Sequence, residues 1–239
     1  KLIMGNDNQT NYDEASKIWD YWIEVGGNAF DNAHIYGNGL MEKLLGKWQR
    51  SRNILKNIIL IAKGAHTPNC NPDSLFSQLE ESLERLQSNN VDIYIMHRDN
   101  KEIPVGEFID VLNDRKNKNK FKIFGASNWS LERFIEANIW AKNNNKSGFS
   151  ILNNNLSLCK MIKPLWDGCV SSNDDKILDY LEKTKTAHLS WSSQGRGYFL
   201  PNKKVQEIEN QISKNETWRK PGEHSSGPLS CFDSKDNRE

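Results

Sequence analysis

Short apolar runs, each followed by a stretch of helical periodicity, recur roughly every thirty residues along this chain, a spacing that suits repeated βα units. The runs are Lys1 to Gly5, Ala29 to Asn32, Ile58 to Ala62, Ile93 to Met96, Ile123 to Ala126, Ile151 to Asn153 and Ala187 to Trp191, seven candidate strands in all. Between them, Ala15, Ile18, Trp19 and Trp22 share one face of a helix, as do Leu75, Leu79, Leu83 and Leu86. Val105, Phe108, Ile109 and Leu112 make a further stripe, and Ile177, Leu178 and Leu181 a shorter one. Gly26 and Gly27 end the first helix, while Asn71 and Pro72 supply the cap and first-turn residue of the second. Strands alternating with helices predict a parallel sheet rather than a sandwich or a bundle.

A doubly wound sheet and a closed barrel both fit this alternation. No GxGxxG follows any of the runs, which counts against the dinucleotide-binding doubly wound unit, so the expected α/β fold is the (β/α)8, or TIM, barrel. The 239 residues match one such domain, commonly about 250 residues long. The barrel is expected to be incomplete, with seven of eight strands, because nothing after Trp191 is strand-like. Residues 1–200 would carry the barrel and 201–239 a polar loop, with Pro201, Pro221 and Pro228 and one weak helical stretch, Val205 to Ile212.

Composition removes several classes of function. Lys and Arg number 32 against 31 Asp and Glu, a net charge of +1, which provides no field to attract nucleic acid or an anionic membrane. The longest apolar runs, such as Ile58 to Ala62, fall far short of the roughly 20 residues of a membrane span, and no signal peptide opens the sequence. Cys70, Cys159, Cys169 and Cys231 form no CxxC pair, so a disulfide framework is not favoured. His34, His66, His97, His188 and His224 show neither HxH nor HxxxH spacing, which argues against a metal-dependent hydrolase. A small-molecule partner and a reducing cytoplasm are the expectation.

In a βα barrel the reactive groups sit where strands end, and four polar residues stand there. Asp31 closes the second run with Tyr36 five residues on, Lys63 closes the third, and His97 the fourth. A tyrosine is a poor acid at neutral pH, with a reference pKa of about 10. A nearby ammonium favours the phenolate, and a carboxylate keeps that ammonium charged in a partly dry pocket. Lys63 and Asp31 are placed to play those parts, and His97 to hold a substrate carbonyl oxygen near Tyr36. The hydride must then come from a cofactor. Each residue alone has a plainer reading: a capping Asp, a boundary aromatic, a solvated Lys, a core His.

At these residues the chain resembles the aldo-keto reductase superfamily. Gly27 to Gly37, read as GNAFDNAHIYG, resembles the family signature with its catalytic Asp and Tyr. Ala62-Lys63-Gly64 and Asp92 to Arg98 resemble its lysine and histidine motifs. Gly125 to Trp129 resembles the segment whose Ser and Asn bind the nicotinamide carboxamide, a role the resemblance gives to Ser127 and Asn128. Ser190 to Gly197 resembles the segment after strand seven, with Trp191 as the ring that stacks on nicotinamide and Ser192, Gln194 and Arg196 near the phosphates. Where the family often has a Gln after strand six, this chain has Asn153, Asn154 and Asn155, of which Asn153 is the candidate. The resemblance runs from Lys1 to about Gly197 and implies carbonyl reduction with NADP(H) or NAD(H).

The same resemblance places Phe232 to Glu239 before the family's seventh helix, so the eighth strand and the adenosine contacts are expected to be missing and the choice between NADP and NAD is not encoded here. A fragment of a longer product, or a shortened and impaired one, would account for this. An alternative function is a nicotinamide-nucleotide-binding subunit or sensor without useful turnover. Trp129, Trp166 and the stretch Pro164 to Ser172 are candidate walls for a hydrophobic carbonyl substrate, and packing of these aromatics against a helix accounts for them equally well.

Overall fold

A computed structural model describes residues 2–3, 11–161, 163–199 and 218–219. The chain divides into two compact units, Lys1–Ile151 and Leu152–Glu239.

The first unit alternates strands and helices in chain order: β1 (Leu2–Ile3), α1 (Tyr12–Glu24), β2 (Ala29–Asp31), α2 (Leu40–Arg52), β3 (Ile59–Gly64), α3 (Pro72–Arg85), β4 (Val91–Met96), α4 (Val105–Asn117), β5 (Phe121–Ser127) and α5 (Leu131–Asn143). Each strand from β1 to β4 pairs in parallel with the next. Ser150, just before β6 (Ile151–Asn153), donates its N–H to Phe124 O. Of the first expected strand only Leu2 and Ile3 lie within the described residues.

Several strands are longer than their apolar runs because polar residues lie within them. Asp92 on β4 accepts the N–H of Leu60 at 2.9 Å and pairs with Lys122 on β5 at 2.6 Å, so two charged residues support the ladder that they conceal in the sequence. Asn71 caps α3 by accepting the Ser74 N–H at 2.8 Å, with Pro72 in the first turn as expected.

Two further helices bury mixed faces. On α2 Met41, Leu44, Leu45 and Trp48 fall at i, i+3, i+4 and i+7, and the buried face widens beyond that stripe to take in Glu42, Gly46 and Gln49. Gln49 donates to Leu86 O at 3.0 Å, and a Cβ on Gly46 would press into the backbone of Arg85 and Leu86, which shows how closely α2 lies on the end of α3. On α5 the buried set is Phe134, Ala137 and Ala141, in which small residues weaken the signal.

Aromatic rings fill this unit. Trp48 lies 5.4 Å from Trp19 and 5.1 Å from Phe30 between ring centroids, joining α1 and α2 to β2. Trp129, wholly buried, packs edge-on against Phe108 and Phe149, so it is core and not a substrate wall. Its indole N–H donates to Arg98 O.

The second unit holds the end of β6, β7 (Lys160–Met161), α6 (Asp175–Thr184), β8 (Ala187–His188) and β9 (Trp218–Arg219). Leu189 donates its N–H to Leu152 O at 3.0 Å, which lays the segment after β8 along β6. β7 and β9 pair antiparallel, so a short strand falls in the region expected to be loop. The remaining residues of 201–239, with Val205 to Ile212 and the run from Phe232, lie outside the described residues. Cys159, Met161, Cys169 and Tyr198 form a small core against Leu165, Trp191 and Phe199.

Candidate active site

Sheet register places the reactive side chains on one face. In a parallel ladder, paired residues project to the same side and alternate residues return to it. Asp31 pairs with Ile61, so Lys63, two residues on, shares its side. Lys63 pairs with Ile95, so His97 shares it as well. Ile95 pairs with Gly125, which brings Ser127 to the same side. Asp31 and Ser127 end their strands, Lys63 is the penultimate residue of β3, and His97 is the first residue after β4.

Lys63 Nζ lies 2.5 Å from Asp31 Oδ1 and donates to Tyr36 Oη at 2.9 Å. The ion pair is nearly sealed from solvent, with side-chain exposures of 3% for Lys63 and 0% for Asp31. Burial alone would pull the lysine pKa down. The charge of Asp31, the influence of Tyr36 and the hydrogen bonds to both outweigh it and hold the ammonium above its ordinary value. Lys63 is therefore a fixed cation with one proton aimed at the tyrosine oxygen.

His97 meets the Tyr36 ring edge-on, with centroids 5.7 Å apart. Burial, then the charges of Lys63 and Arg98 and the neighbouring His66, push its pKa well below the usual histidine value, so the imidazole is neutral. Its Nδ1 is enclosed with no hydrogen-bond partner among the described residues.

Tyr36 is carried by a turn that has unusual backbone. Gly37, Asn38 and Gly39 all have positive φ, at 57°, 51° and 87°. The turn is tied to β3 by the N–H groups of Asn32 and His34, which donate to Ile61 O and Lys63 O. Arg85 supports it from α3: its guanidinium donates to His34 O at 3.2 Å, pairs with Glu42 at 3.3 Å and Glu81 at 2.8 Å, and stands 2.6 Å from where a Cβ on Gly39 would lie. Glu81 also meets His34 Nε2 at 2.9 Å. This support is not apparent from the motifs. A charged Glu42 on the buried face of α2 is the one sequence feature that marks it.

Ser127 and Asn128 are buried at the end of β5, Asn128 with φ 61°. The Asn128 amide donates to Ser127 Oγ at 3.1 Å and to His97 O at 3.4 Å, which ties both to the strand end that bears His97.

The remaining candidates lie in the second unit. Asn153 is buried and its amide donates to Leu189 O. Asn155, buried beside it, donates to Trp191 O at 3.0 Å and bridges both Ser171 and Trp191. The Trp191 ring is partly exposed while its indole nitrogen is sealed, and Trp166 stands 6.4 Å away. Ser192, Gly195 and Arg196 have φ of 49°, 60° and 54°, a loop of repeated left-handed residues with Gln194 exposed between them. The Arg196 guanidinium rests over the Trp166 ring at 5.1 Å.

The family model described as Aldo/keto reductase family matches residues 2–230. The chain belongs to the aldo/keto reductase family. Aldo-keto reductase AFTS1 of Alternaria alternata is 27% identical over 205 residues, covering 73% of this chain and 53% of that protein. A probable voltage-gated potassium channel subunit beta of Arabidopsis thaliana is 28% identical, covering 54% of this chain and 42% of its own length. The chain spans about half the length of the curated relatives it matches. Among solved structures, an aldo-keto reductase from Klebsiella pneumoniae in complex with NADPH superposes with a TM-score of 0.69 at 16% identity, covering 90% of this chain and 71% of that one. That likeness carries the fold: the described residues supply seven strands, β1 to β6 and β8, of the aldo/keto reductase (β/α)8 barrel. No helix among the described residues is long and apolar enough to cross a membrane.

Proposed function

We propose that the protein reduces an aldehyde or ketone to an alcohol, with Tyr36 as the proton donor. The observation that carries this reading is the bond geometry of Lys63, whose ammonium contacts Asp31 and Tyr36 together in a nearly dry site. As the Tyr36 proton moves to the substrate oxygen, negative charge grows on the phenolic oxygen 2.9 Å from that ammonium. Asp31 keeps the lysine charged, and neutral His97 offers a hydrogen bond to the carbonyl oxygen without competing for the Tyr36 proton.

A bound NADP(H) or NAD(H) would supply the hydride. Several features fit such a group. In the first unit Ser127 and Asn128 place a hydroxyl and an amide at the strand end that bears His97, groups of the kind that bind a carboxamide. In the second unit Asn153 is a buried amide. Trp191 offers a ring face suited to stacking, and Ser192, Gln194 and Arg196 a polar and cationic loop suited to phosphate.

Tyr36→Phe is expected to lower carbonyl turnover by about 10²- to 10⁴-fold, the usual contribution of a positioned acid, while quenching of protein fluorescence by NADPH persists. Undiminished turnover would refute the assignment. The likeness to a channel β subunit supports a second reading, a nucleotide-binding subunit without useful turnover. Such a protein would quench on adding NADPH and consume none in the presence of any carbonyl.

A further inference from the structure

A second histidine stands beside the proposed proton-transfer site, and its hydrogen bonding fixes how it can act. His66 follows Lys63 by three residues, in the turn after β3 where Ala65 has φ 57°. Its ring meets His97 edge-on, with centroids 4.8 Å apart. Its Nδ1 lies 2.8 Å from Thr67 O. A carbonyl oxygen only accepts, so Nδ1 carries a proton. Partial burial, and after it the charge of Arg98, hold the His66 pKa below the usual histidine value despite the bond to Thr67 O. The ring is thus neutral at neutral pH, with its lone pair on Nε2. Among the described residues nothing donates to that lone pair, and the half-buried ring leaves it open to a ligand.

Two neutral imidazoles in edge contact can each engage one of two functional groups on neighbouring carbons. His97 is the candidate donor to the carbonyl oxygen. We propose that His66 Nε2 accepts a hydrogen bond from a hydroxyl or N–H on the carbon next to that carbonyl, so that the site selects α-hydroxy aldehydes and ketones over their alkyl counterparts. This rests on the carbonyl-reductase reading above. A substrate with an alkyl group there leaves the Nε2 acceptor without a donor, and so loses one neutral hydrogen bond relative to its hydroxy analogue.

Hydroxyacetone and butanone are nearly isosteric, with a hydroxyl in one where the other has a methyl. Their kcat/KM ratio, measured on wild type, His66→Leu and His66→Gln, cancels their differing intrinsic reactivity when compared between proteins. In His66→Leu the ratio of hydroxyacetone to butanone should fall about five- to tenfold, the scale of one neutral hydrogen bond. His66→Gln, which keeps an acceptor oxygen, should restore part of it, an outcome that a merely structural role would not produce. Nitrogen NMR of the histidine rings provides a readout independent of turnover. His66 should show an unprotonated Nε2 whose signal moves with hydroxyacetone and stays with butanone. An unchanged ratio in His66→Leu, or a proton on Nε2, overturns the proposal. If neither ketone is reduced, the reductase reading fails and the response of the Nε2 signal to hydroxyacetone alone decides the role of His66.

Discussion

In the first unit Asp31, Lys63, His97 and Ser127 stand at or just past the ends of β2, β3, β4 and β5, whose parallel register decides where each one lies. In the second unit most of the candidate nucleotide-holding residues follow a two-residue strand, β8, and take their places from left-handed backbone at Ser192, Gly195 and Arg196. The first arrangement is held mainly by buried charge and ladder hydrogen bonds, with left-handed backbone at the Tyr36 turn, Ala65 and Asn128, whereas the second leans on the conformation of single residues. The two should therefore respond to different substitutions: removal of a charge in the first, addition of a Cβ in the second.

The largest expected effect is at Lys63. Lys63→Met leaves Asp31 ionised and buried with its cation gone, and breaking a buried pair from one side costs about 3–5 kcal/mol. Removing both charges in Asp31→Asn/Lys63→Met should recover much of that loss, because no uncompensated charge remains. Urea denaturation of the two variants measures the difference. A loss below about 1 kcal/mol in the single variant would mean that water reaches Asp31, and the contrast between the units would lose its basis.

Much of the first arrangement was legible in the sequence because its residues sit in motifs at the ends of apolar runs. Asp31, Lys63, His97 and Ser127 fall at or just past strand ends, where the parallel ladder brings them to one side, while Tyr36 and Asn128 lie off the strands and are marked by their motifs alone. The props beneath were not legible. Arg85 reaches the Tyr36 turn from a helix 49 residues on, a separation that local periodicity does not bridge, and Glu42 and Gln49 are buried beside the apolar stripe of α2, where a polar residue reads as surface. The pairing of β7 with β9 joins two-residue strands about 57 residues apart, beyond the reach of local periodicity. For Trp129 the sequence leaves wall and packing equally open, because a tryptophan beside a site motif carries no sign of which way it faces, and its burial against Phe108 and Phe149 decides for packing.

Acid should expose the first unit's charge arrangement next. His97 is held neutral by burial and by Lys63, so its folded-state pKa lies well below the value near 6.5 that it takes in the unfolded chain. Above about 6.5 neither state binds the proton and no penalty arises; as pH falls below it, the unfolded chain takes up a proton that the native one refuses. Stability should then decline by nearly 1.4 kcal/mol per pH unit for this group, down to its folded pKa. Partly buried His66 shifts the same way. Glu42, raised by burial against the pull of Arg85, works with the opposite sign as pH falls through its raised value toward 4.5. Comparing wild type with His97→Asn at each pH removes the Glu42 contribution, and the variant should show a shallower decline by about one proton. Parallel curves would mean that His97 accepts a proton in the native state.

The smallest effect should come from the second unit, at Gly195. Its φ of 60° lies where a side chain costs roughly 1–2 kcal/mol, and a Cβ there would press on Cys159 Sγ in the small core and stand 3.0 Å from Tyr198 Cβ. Gly195→Ala should therefore destabilise by about that amount, less than the loss of Lys63, because the neighbours form a small cluster and no charge is stranded. Its second effect should be larger in kind. Ser192, Gln194 and Arg196 share the loop whose backbone would have to shift, so NADPH affinity, read by fluorescence quenching, should weaken while the Lys63 contacts to Asp31 and Tyr36 are untouched. Unchanged affinity alongside the expected destabilisation would show that the loop holds its shape without Gly195, or that nucleotide is held elsewhere; the matching Arg196→Ala titration separates these, because only in the first case does affinity then fall.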